Sequence, residues 1–355
     1  YDQEGPAKNY SDQFIFSKYD NKEKIKEFIS KVDLVTYEFE NIPIDILKSI
    51  DKKKKVLPKP EINQIIQNRK LEKKFINNLG IKTTEWAFIT SLDDIKKNIK
   101  LLPGILKTNT LGYDGHGQFV LNSIDDVKQD WCFTNNYILE KKVNLKKEIS
   151  VIATRFQNGA IFTYEPFENI HENQILKNSK IPADISEKIY GDCLKHSKKI
   201  ADHLNYVGTI CVEFFIDTNE NLLVNEIASR VHNSGHLTIN SHNVSQFEGH
   251  IRAVCNLDIV SLDKITNAEM INILGKDIED LGGSLILKKG KAEEILPQLA
   301  EDLQADTLYF GRTYDPAGRA TEQVVETTFT DRSVSLESFN TSLLQEPWEV
   351  KNGSG

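Results

Sequence analysis

Chemistry in this chain is densest between residues 222 and 240. After an apolar start, this stretch sets out Asn225, Glu226, Arg230, His232, Asn233 and His236 within a few turns of chain. A further acid, Glu213, lies in the preceding apolar stretch, residues 211–216. Mg²⁺ is a hard ion that keeps several waters and takes one or two carboxylates plus phosphate oxygens. Glu213 and Glu226 on neighbouring antiparallel strands, facing one way with Asn225 beside them, would suit such an ion over a nucleotide. The planar fork of Arg230, with His232 and Asn233, would suit a small carboxylate or phosphate. The plainer alternative is a pair of solvated strand acids followed by histidines in structural roles, and residue types alone leave both readings open.

Other residues point the same way with less force. Lys107 ends a short apolar run and can reach a phosphate as a point charge. The loop Gly112-Tyr-Asp-Gly-His-Gly-Gln118 follows, and its glycines would let backbone N–H groups approach phosphate oxygens. It is neither a Walker loop nor Gly-x-Gly-x-x-Gly, and a hairpin tip is the competing reading. Glu140 closes an apolar strand, where it would meet an adenine amino group or a ribose, or else solvent. Glu38 and Glu40 follow another apolar stretch and can receive ligand hydroxyls or amines, while Phe39 between them reads as core.

These side chains need a scaffold, and the hydrophobic periods supply one. Residues 22–29, 44–50 and 60–79 read as helices, the last ended by Gly80. Residues 33–40 read as a buried strand. Strands are expected at 84–89, 104–107, 119–121, 137–140, 148–155 and 160–166. Ser91-Leu-Asp-Asp94 opens a helix to Ile99 with a capping pattern. Residues 84–143 thus form a small α+β lobe carrying the glycine flap. Residues 186–204 form an amphipathic helix with Ile189, Cys193, Ile200 and Leu204 on one stripe. Strands follow at 207–216 and 222–228, a helix at 245–256 and a strand at 270–274. Composition shifts near Asp280, from Lys, Ile and Asn to Leu, Ala, Glu, Thr and Gly. The remainder reads as strand 284–287, a helical stripe over 292–303, strand 306–310, helix 321–329 and strand 333–339, a parallel piece with crossover helices.

The 355 residues are enough for two or three domains, and 27% charged with 39% apolar residues describes a folded, water-soluble chain. A net charge of −8 gives no electrostatic reason to expect nucleic acid as a partner. No apolar run approaches the ~20 residues of a membrane helix. Cys132, Cys193, Cys211 and Cys255 form no Cys-x-x-Cys pair, which argues against zinc and a disulfide framework. With no secretory signal visible, a cytoplasmic setting is expected.

Taken together, these stretches resemble the ATP-grasp family of N5-carboxyaminoimidazole ribonucleotide synthases. The resemblance rests on Thr36-Tyr-Glu-Phe-Glu-Asn-Ile42, Lys107 with the 112–118 loop, Glu165-Pro-Phe-Glu-Asn-Ile-His171 and Asn225-Glu-Ile-Ala-Ser-Arg-Val-His-Asn-Ser-Gly-His236. Ser245-Gln-Phe-Glu248 with His250 to Ala253 completes it, over about residues 1–278. It implies an α/β fold of the ATP-grasp α+β type: a shortened N-terminal Rossmann-like domain over 1–58, an ATP-grasp domain over 59–278 and a C-terminal Rossmann-like fragment over 279–355. The implied reaction carboxylates 5-aminoimidazole ribonucleotide with bicarbonate and ATP, by way of carboxyphosphate. By resemblance, Arg69, Lys107, Gly112, Tyr113, Asp114, Gly115, His116, Gly117, Gln118, Glu140, Lys141, Lys142, Val143, Glu148, His171, Asn225 and Glu226 would bind ATP. Glu213 and Glu226 would hold Mg²⁺. Arg230, His232 and Asn233 would be catalytic, holding bicarbonate, and Tyr113, Asp114 and Glu38 would face the ribonucleotide. The family also suggests a homodimer.

Three departures accompany the resemblance. The family's leading strand and Gly-Gly-Gly-Gln-Leu-Gly phosphate turn are not in this sequence, which opens at Tyr1. Its late Lys/Arg group is not found either, and both losses lead one to expect weakened ribonucleotide turnover. Ser229 replaces a proline before Arg230, which is expected to loosen the backbone there. The tail resembles something else: Gly283-Ser-Leu-Ile-Leu287, Arg312-Thr-Tyr-Asp-Pro316 and Leu343-Leu-Gln-Glu-Pro-Trp-Glu-Val350 are similar to part of a DNA photolyase or cryptochrome antenna domain. A photolyase-related fragment and a non-functional chimera of two gene pieces are therefore the alternatives to a carboxylating ligase.

Overall fold

The N-terminal segment departs most from its sequence pattern. In the computed structural model, which describes residues 8, 10–110, 117–127, 136–258, 261–284, 286, 288, 290–312 and 316–339, it carries α1 (Lys22–Ser30) and α2 (Ile44–Asp51). The expected strand over 33–40 reduces to one parallel bridge, Val35 to Val56. Val35 and Tyr37 are buried, whereas Phe39, expected in the core, is 54% exposed because the chain turns outward at that point. The expected single helix over 60–79 is two, α3 (Pro60–Ile66) and α4 (Arg69–Asn78). Asn68 divides them: its backbone is extended and its side chain accepts the Leu71 N–H as the α4 cap. Asn109 takes the next free donors, accepting from Arg69 N–H at its carbonyl and from Lys70 N–H at its side chain. Gly80 follows α4 at φ +71°, a left-handed conformation that favours glycine.

The small lobe is β1 (Trp86–Ile89), α5 (Leu92–Lys97), β2 (Gly104–Thr108), β3 (Gln118–Leu121) and β4 (Tyr137–Lys141), with sheet order β1-β4-β2-β3. Ser91 caps α5 as expected. Ile89, Ile95, Leu101, Leu106, Leu121 and Leu139 form its core.

The large sheet contains β5 (Leu145–Arg155), β6 (Ile161–Thr163), β7 (Phe167–Glu172), β8 (Ile175–Ile181), β9 (Gly208–Asp217), β10 (Leu222–Ala228) and β11 (Ala268–Ile271), in the order β10-β9-β5-β7-β8-β11 with β6 on β5. The hairpin β7–β8 was not anticipated, because its polar residues hide the alternation. Its turn, Asn173-Gln174, has both residues at positive φ (51° and 68°), the two-residue geometry that suits twisted strands. The 160–166 strand correspondingly shrinks to β6. Between β8 and β9, α6 (Glu187–His203) buries Ile189, Cys193, Ile200 and Leu204 against the sheet, the stripe read from sequence. After β10 come a 3₁₀ turn (Asn233–Leu237), α7 (Thr238–Ser241) and α8 (Gln246–Val254).

Compact packing divides the chain into Tyr1–Asn272 and Ile273–Gly355. The second unit therefore begins before the compositional shift at Asp280, and the 270–274 strand ends at Ile271, where its pairing with β8 ends. That unit holds α9 (Gly275–Asp280), α10 (Ala292–Asp302), β12 (Thr307–Gly311), α11 (Pro316–Phe329) and β13 (Ser335–Phe339). Strands β12 and β13 are parallel with α11 as the crossover, as the pattern suggested. Two residues of the expected 284–287 strand lie outside the described residues. Among the described residues no helix is long and apolar enough to cross a membrane.

Candidate active site

The site is built on a kink in β10. Val224 pairs with Phe214 and Ile227 with Val212, so Asn225 and Glu226 together oppose the single residue Glu213. A two-against-one bulge re-aims side chains and twists the strand. Asn225 Nδ2 donates to Glu213 Oε2 at 3.3 Å, and Glu226 Oε2 turns to Arg69 Nη1 at 3.0 Å.

β10 is an edge strand whose outer side is bridged only at Val224, to Thr83, so other outward backbone groups lack a ladder partner. α4 supplies side chains in their place. Lys73 Nζ donates to the Asn225 carbonyl at 2.7 Å, and Glu72 Oε1 accepts the Ile227 N–H at 2.7 Å. Arg69, Glu72 and Lys73 therefore hold three successive residues of the kink. Burial pushes the Glu72 carboxyl up to about 8, against the pull of Lys73, so it sits there largely neutral.

Glu140, at the end of β4, behaves in the opposite way. It is fully enclosed, with Lys107 Nζ 2.8 Å from Oε2 and Lys73 Nζ 3.1 Å from Oε1. Burial alone would raise its pKa; the two lysines outweigh burial and bring it to about 2. The Lys73 contact is ionic only, since Glu140 Oε1 makes no hydrogen bond. The Glu140 carboxylate is thus enclosed by two lysines and does not face solvent.

His232 Nε2 lies 2.9 Å from Glu213 Oε1. Burial works against a charge on His232, but the Cys211 sulfur and the Glu213 carboxylate hold its pKa well above the ordinary value. Burial also raises the Cys211 thiol, which keeps it neutral and leaves Glu213 as the operative partner. Glu213 itself is brought down to about 2, burial being outweighed by His232. On its other side His232 Nδ1 meets Ser234 Oγ at 2.8 Å, and a buried chain continues from there. Ser234 Oγ lies 2.7 Å from Ser150 Oγ, Asn169 Nδ2 donates to Ser150 Oγ at 2.9 Å, and Ser179 Oγ donates to Asn169 Oδ1 at 2.7 Å. Nearby, His171 Nδ1 pairs with Glu148 Oε2. Burial opposes the His171 charge, and Glu148 outweighs it to raise its pKa.

Arg230 Nε pairs with Glu40 Oε2 at 3.2 Å, bringing the N-terminal segment into the site. Burial raises the Glu40 carboxyl despite that partner. Ser229 is not loose: its buried hydroxyl donates to Asn63 Oδ1 at 2.6 Å. Asn233 is exposed at the start of the 3₁₀ turn, and His236, also exposed, stacks on Phe247 at 5.6 Å. Glu38 is exposed. Gly112, Tyr113, Asp114, Gly115 and His116 lie outside the described residues; Gly117 closes the loop at φ +75°, and Gln118 begins β3. Lys141, Lys142 and Val143 line a cavity of about 880 Å³ with Lys82, Trp86 and Asp217, and that cavity includes none of Lys107, Glu140, Glu213 or Glu226.

Comparison with known proteins decides what this arrangement belongs to. The family model of the ATP-grasp domain matches residues 74–247, and that of the ribonucleotide synthetase preATP-grasp domain matches residues 1–67. N5-carboxyaminoimidazole ribonucleotide synthase of Bacillus subtilis is 38% identical over 281 residues, which cover 78% of this chain and 74% of the relative. The chain belongs to the N5-carboxyaminoimidazole ribonucleotide synthase family. Crystal structures agree. The Staphylococcus aureus synthetase complexed with ADP is similar at TM-score 0.75 and 36% identity, covering 79% of this chain and 76% of that one. The Aspergillus clavatus synthase in complex with ADP and 5-aminoimidazole ribonucleotide is similar at TM-score 0.69 and 27% identity, covering 77% and 74%. The DNA photolyase family model matches residues 267–355, so this second likeness starts within one residue of β11 and runs through the second unit.

Within the synthase family fold, the kink in β10 suits a hard divalent cation. Asn225 Oδ1 is buried and has no hydrogen-bond partner, and Asn225 shares the bulge with Glu226 opposite Glu213. Among the described residues no three His, Cys, Asp or Glu side chains converge for a metal. Such an ion would complete its shell with water and phosphate oxygens, as Mg²⁺ does. The sequence reading missed Glu72, Lys73 and the Ser150–Asn169–Ser179 chain. A signal for the first two was present: Arg69, Glu72, Lys73 and Ile76 form one inward helical stripe, and charge on a buried stripe demands partners.

Proposed function

We propose that this protein carboxylates 5-aminoimidazole ribonucleotide with bicarbonate at the expense of ATP, through carboxyphosphate. The observation that carries the reading is the β10 kink, where the unpartnered Asn225 Oδ1 and Glu226 share a bulge opposite Glu213, and Glu213 in turn meets His232. Phosphoryl transfer needs positioning and charge neutralisation more than covalent chemistry from the protein. Lys107 directs its ammonium to nucleotide phosphate, with Arg69 holding Glu226 in place. Glu213 and Glu226 hold Mg²⁺, which when bound neutralises charge on the transferring phosphoryl group. Arg230 and His232 bind bicarbonate and its phosphorylated form, with Asn233 at the mouth. Glu148 orients His171 on the nucleotide side. The 112–118 loop covers the phosphates and excludes water from a labile intermediate, and Glu38, Tyr113 and Asp114 face the ribonucleotide.

The same reading divides the chain into a pre-ATP-grasp portion (1–58), the ATP-grasp domain (59–278, small lobe about 84–143) and the photolyase-like portion (279–355). It places the enzyme in the cytoplasm, as a homodimer. The test is phosphate release from ATP by the purified full chain. The expected result is release that depends jointly on Mg²⁺, bicarbonate and 5-aminoimidazole ribonucleotide, with stoichiometric carboxylated product. ATP hydrolysis indifferent to the ribonucleotide would sink the proposal.

A further inference from the structure

We propose that Lys73 is a positioning residue that frees Lys107 from Glu140 so that Lys107 can engage a nucleotide phosphate. The inference rests on the nucleotide reading above and deepens it. Glu140 is 3% exposed and Lys107 6% exposed, and their charged ends are 2.8 Å apart. A buried carboxylate stripped of its only cation is strongly disfavoured. Were Lys107 the sole partner, its ammonium could not turn toward a phosphate without leaving Glu140 as an unpaired buried charge.

Lys73 removes that obstacle. It lies 3.1 Å from the other carboxylate oxygen, and it is 1% exposed. It cannot follow Lys107, because its ammonium also donates to the Asn225 carbonyl at 2.7 Å. An ammonium has three N–H donors, so it can hold both acceptors at once. Glu140 Oε1 makes no hydrogen bond while Lys107 is in place, and can tighten onto Lys73 when Lys107 leaves. The same cation ties the end of β4 to the kink of β10. The nucleotide end and the metal end of the site therefore share one buried ammonium, supplied by α4.

The test is ADP binding by isothermal titration calorimetry on the full chain, comparing wild type, Lys73→Met, Glu140→Gln and the double variant. Lys73→Met should weaken ADP at least about tenfold, since Lys107 becomes the only counter-ion of Glu140. Adding Glu140→Gln should bring affinity back to within about threefold of wild type, a coupling expected of groups in direct contact. A merely structural lysine would not be rescued by neutralising its partner. Wild-type affinity in Lys73→Met, or a double variant as weak as Lys73→Met, would overturn the inference. Should Lys73→Met fail to fold by circular dichroism, Glu140→Gln alone decides: with Lys107 released it must bind ADP at least as tightly as wild type, and weaker binding overturns the proposal. Absence of ADP binding by the wild type would instead overturn the nucleotide reading, and this inference with it.

Discussion

The two compact units use charge in contrasting ways. In Tyr1–Asn272, the charged side chains of Lys73, Lys107 and Glu140 are all buried and paired with one another. In Ile273–Gly355, among the described residues, the buried hydrophobic side chains are Val325 and Phe329, joined by Pro297. Among the described residues of this unit, the ion pair of Lys291 with Glu294, at 3.7 Å, is solvated. Tyr309 is 61% exposed and Phe339 52%, on a two-stranded parallel sheet of a kind normally covered on both faces. A charge can be buried only where a core surrounds it and every group finds a partner. The first unit satisfies that condition and houses the candidate site; the second, taken by itself, does not.

Breaking the buried pairs should show the contrast most strongly. Glu140→Ala leaves two buried lysines without a carboxylate and should cost about 3–5 kcal/mol in urea unfolding; a loss below about 1 kcal/mol would mean that the pairs are not enclosed as described. In the same range, Phe214→Ala in the large-sheet core should cost about 3–5 kcal/mol, and Phe329→Ala in the second unit should cost less because fewer side chains surround it. Equal losses would erase the distinction between the units.

Acid should act on the first unit through His250. Burial brings its pKa down to about 4, with Thr209 N–H donating to Nδ1 at 3.1 Å and Thr36 Oγ1 2.7 Å from Nε2. The backbone donor makes Nδ1 the acceptor, so the ring is neutral in the folded protein. Below pH 6.5 the unfolded chain takes up a proton that the folded chain refuses until near pH 4. Stability should therefore fall through this window by about 3 kcal/mol, the equivalent of the shift at 1.36 kcal/mol per unit. His250→Gln should flatten the dependence; an unchanged slope in that variant would assign the acid sensitivity elsewhere.

Smaller again is the effect of the buried hydroxyl chain. Ser150→Ala should lower kcat about tenfold while leaving ADP affinity unchanged, because it loosens Ser234 behind His232 rather than the nucleotide groups. Restoration by Ser150→Thr would identify the hydroxyl as the cause, and parallel losses in kcat and ADP affinity would refute the assignment. At the bottom of the scale, Lys291→Ala should change stability by less than about 0.5 kcal/mol.

Much of the scaffold was legible because its periods are clean. The apolar runs at residues 207–216 and 222–228 mark β9 and β10, and the stripe Ile189, Cys193, Ile200 and Leu204 marks α6. Where polar residues interrupt a period, local reading fails. β7 and β8 are strands because they pair with β5 and β11, and their own residues do not announce it. Residues 33–40 have strand-like composition but, among the described residues, bridge only to Val56, and Phe39 follows the turn rather than its hydrophobicity.

For the site, the sequence by itself determined which functional groups are present and which are neighbours along the chain: Asn225 beside Glu226, Arg230 two residues before His232, and Glu213 one strand earlier. Tertiary structure alone decided which of them are paired. Arg69 and Glu226 are 157 residues apart, Lys73 and Asn225 152, and Arg230 and Glu40 190. No local period encodes such contacts. They exist because an edge strand with a bulge leaves backbone groups that must be satisfied, and α4 is the element that the fold brings against that edge.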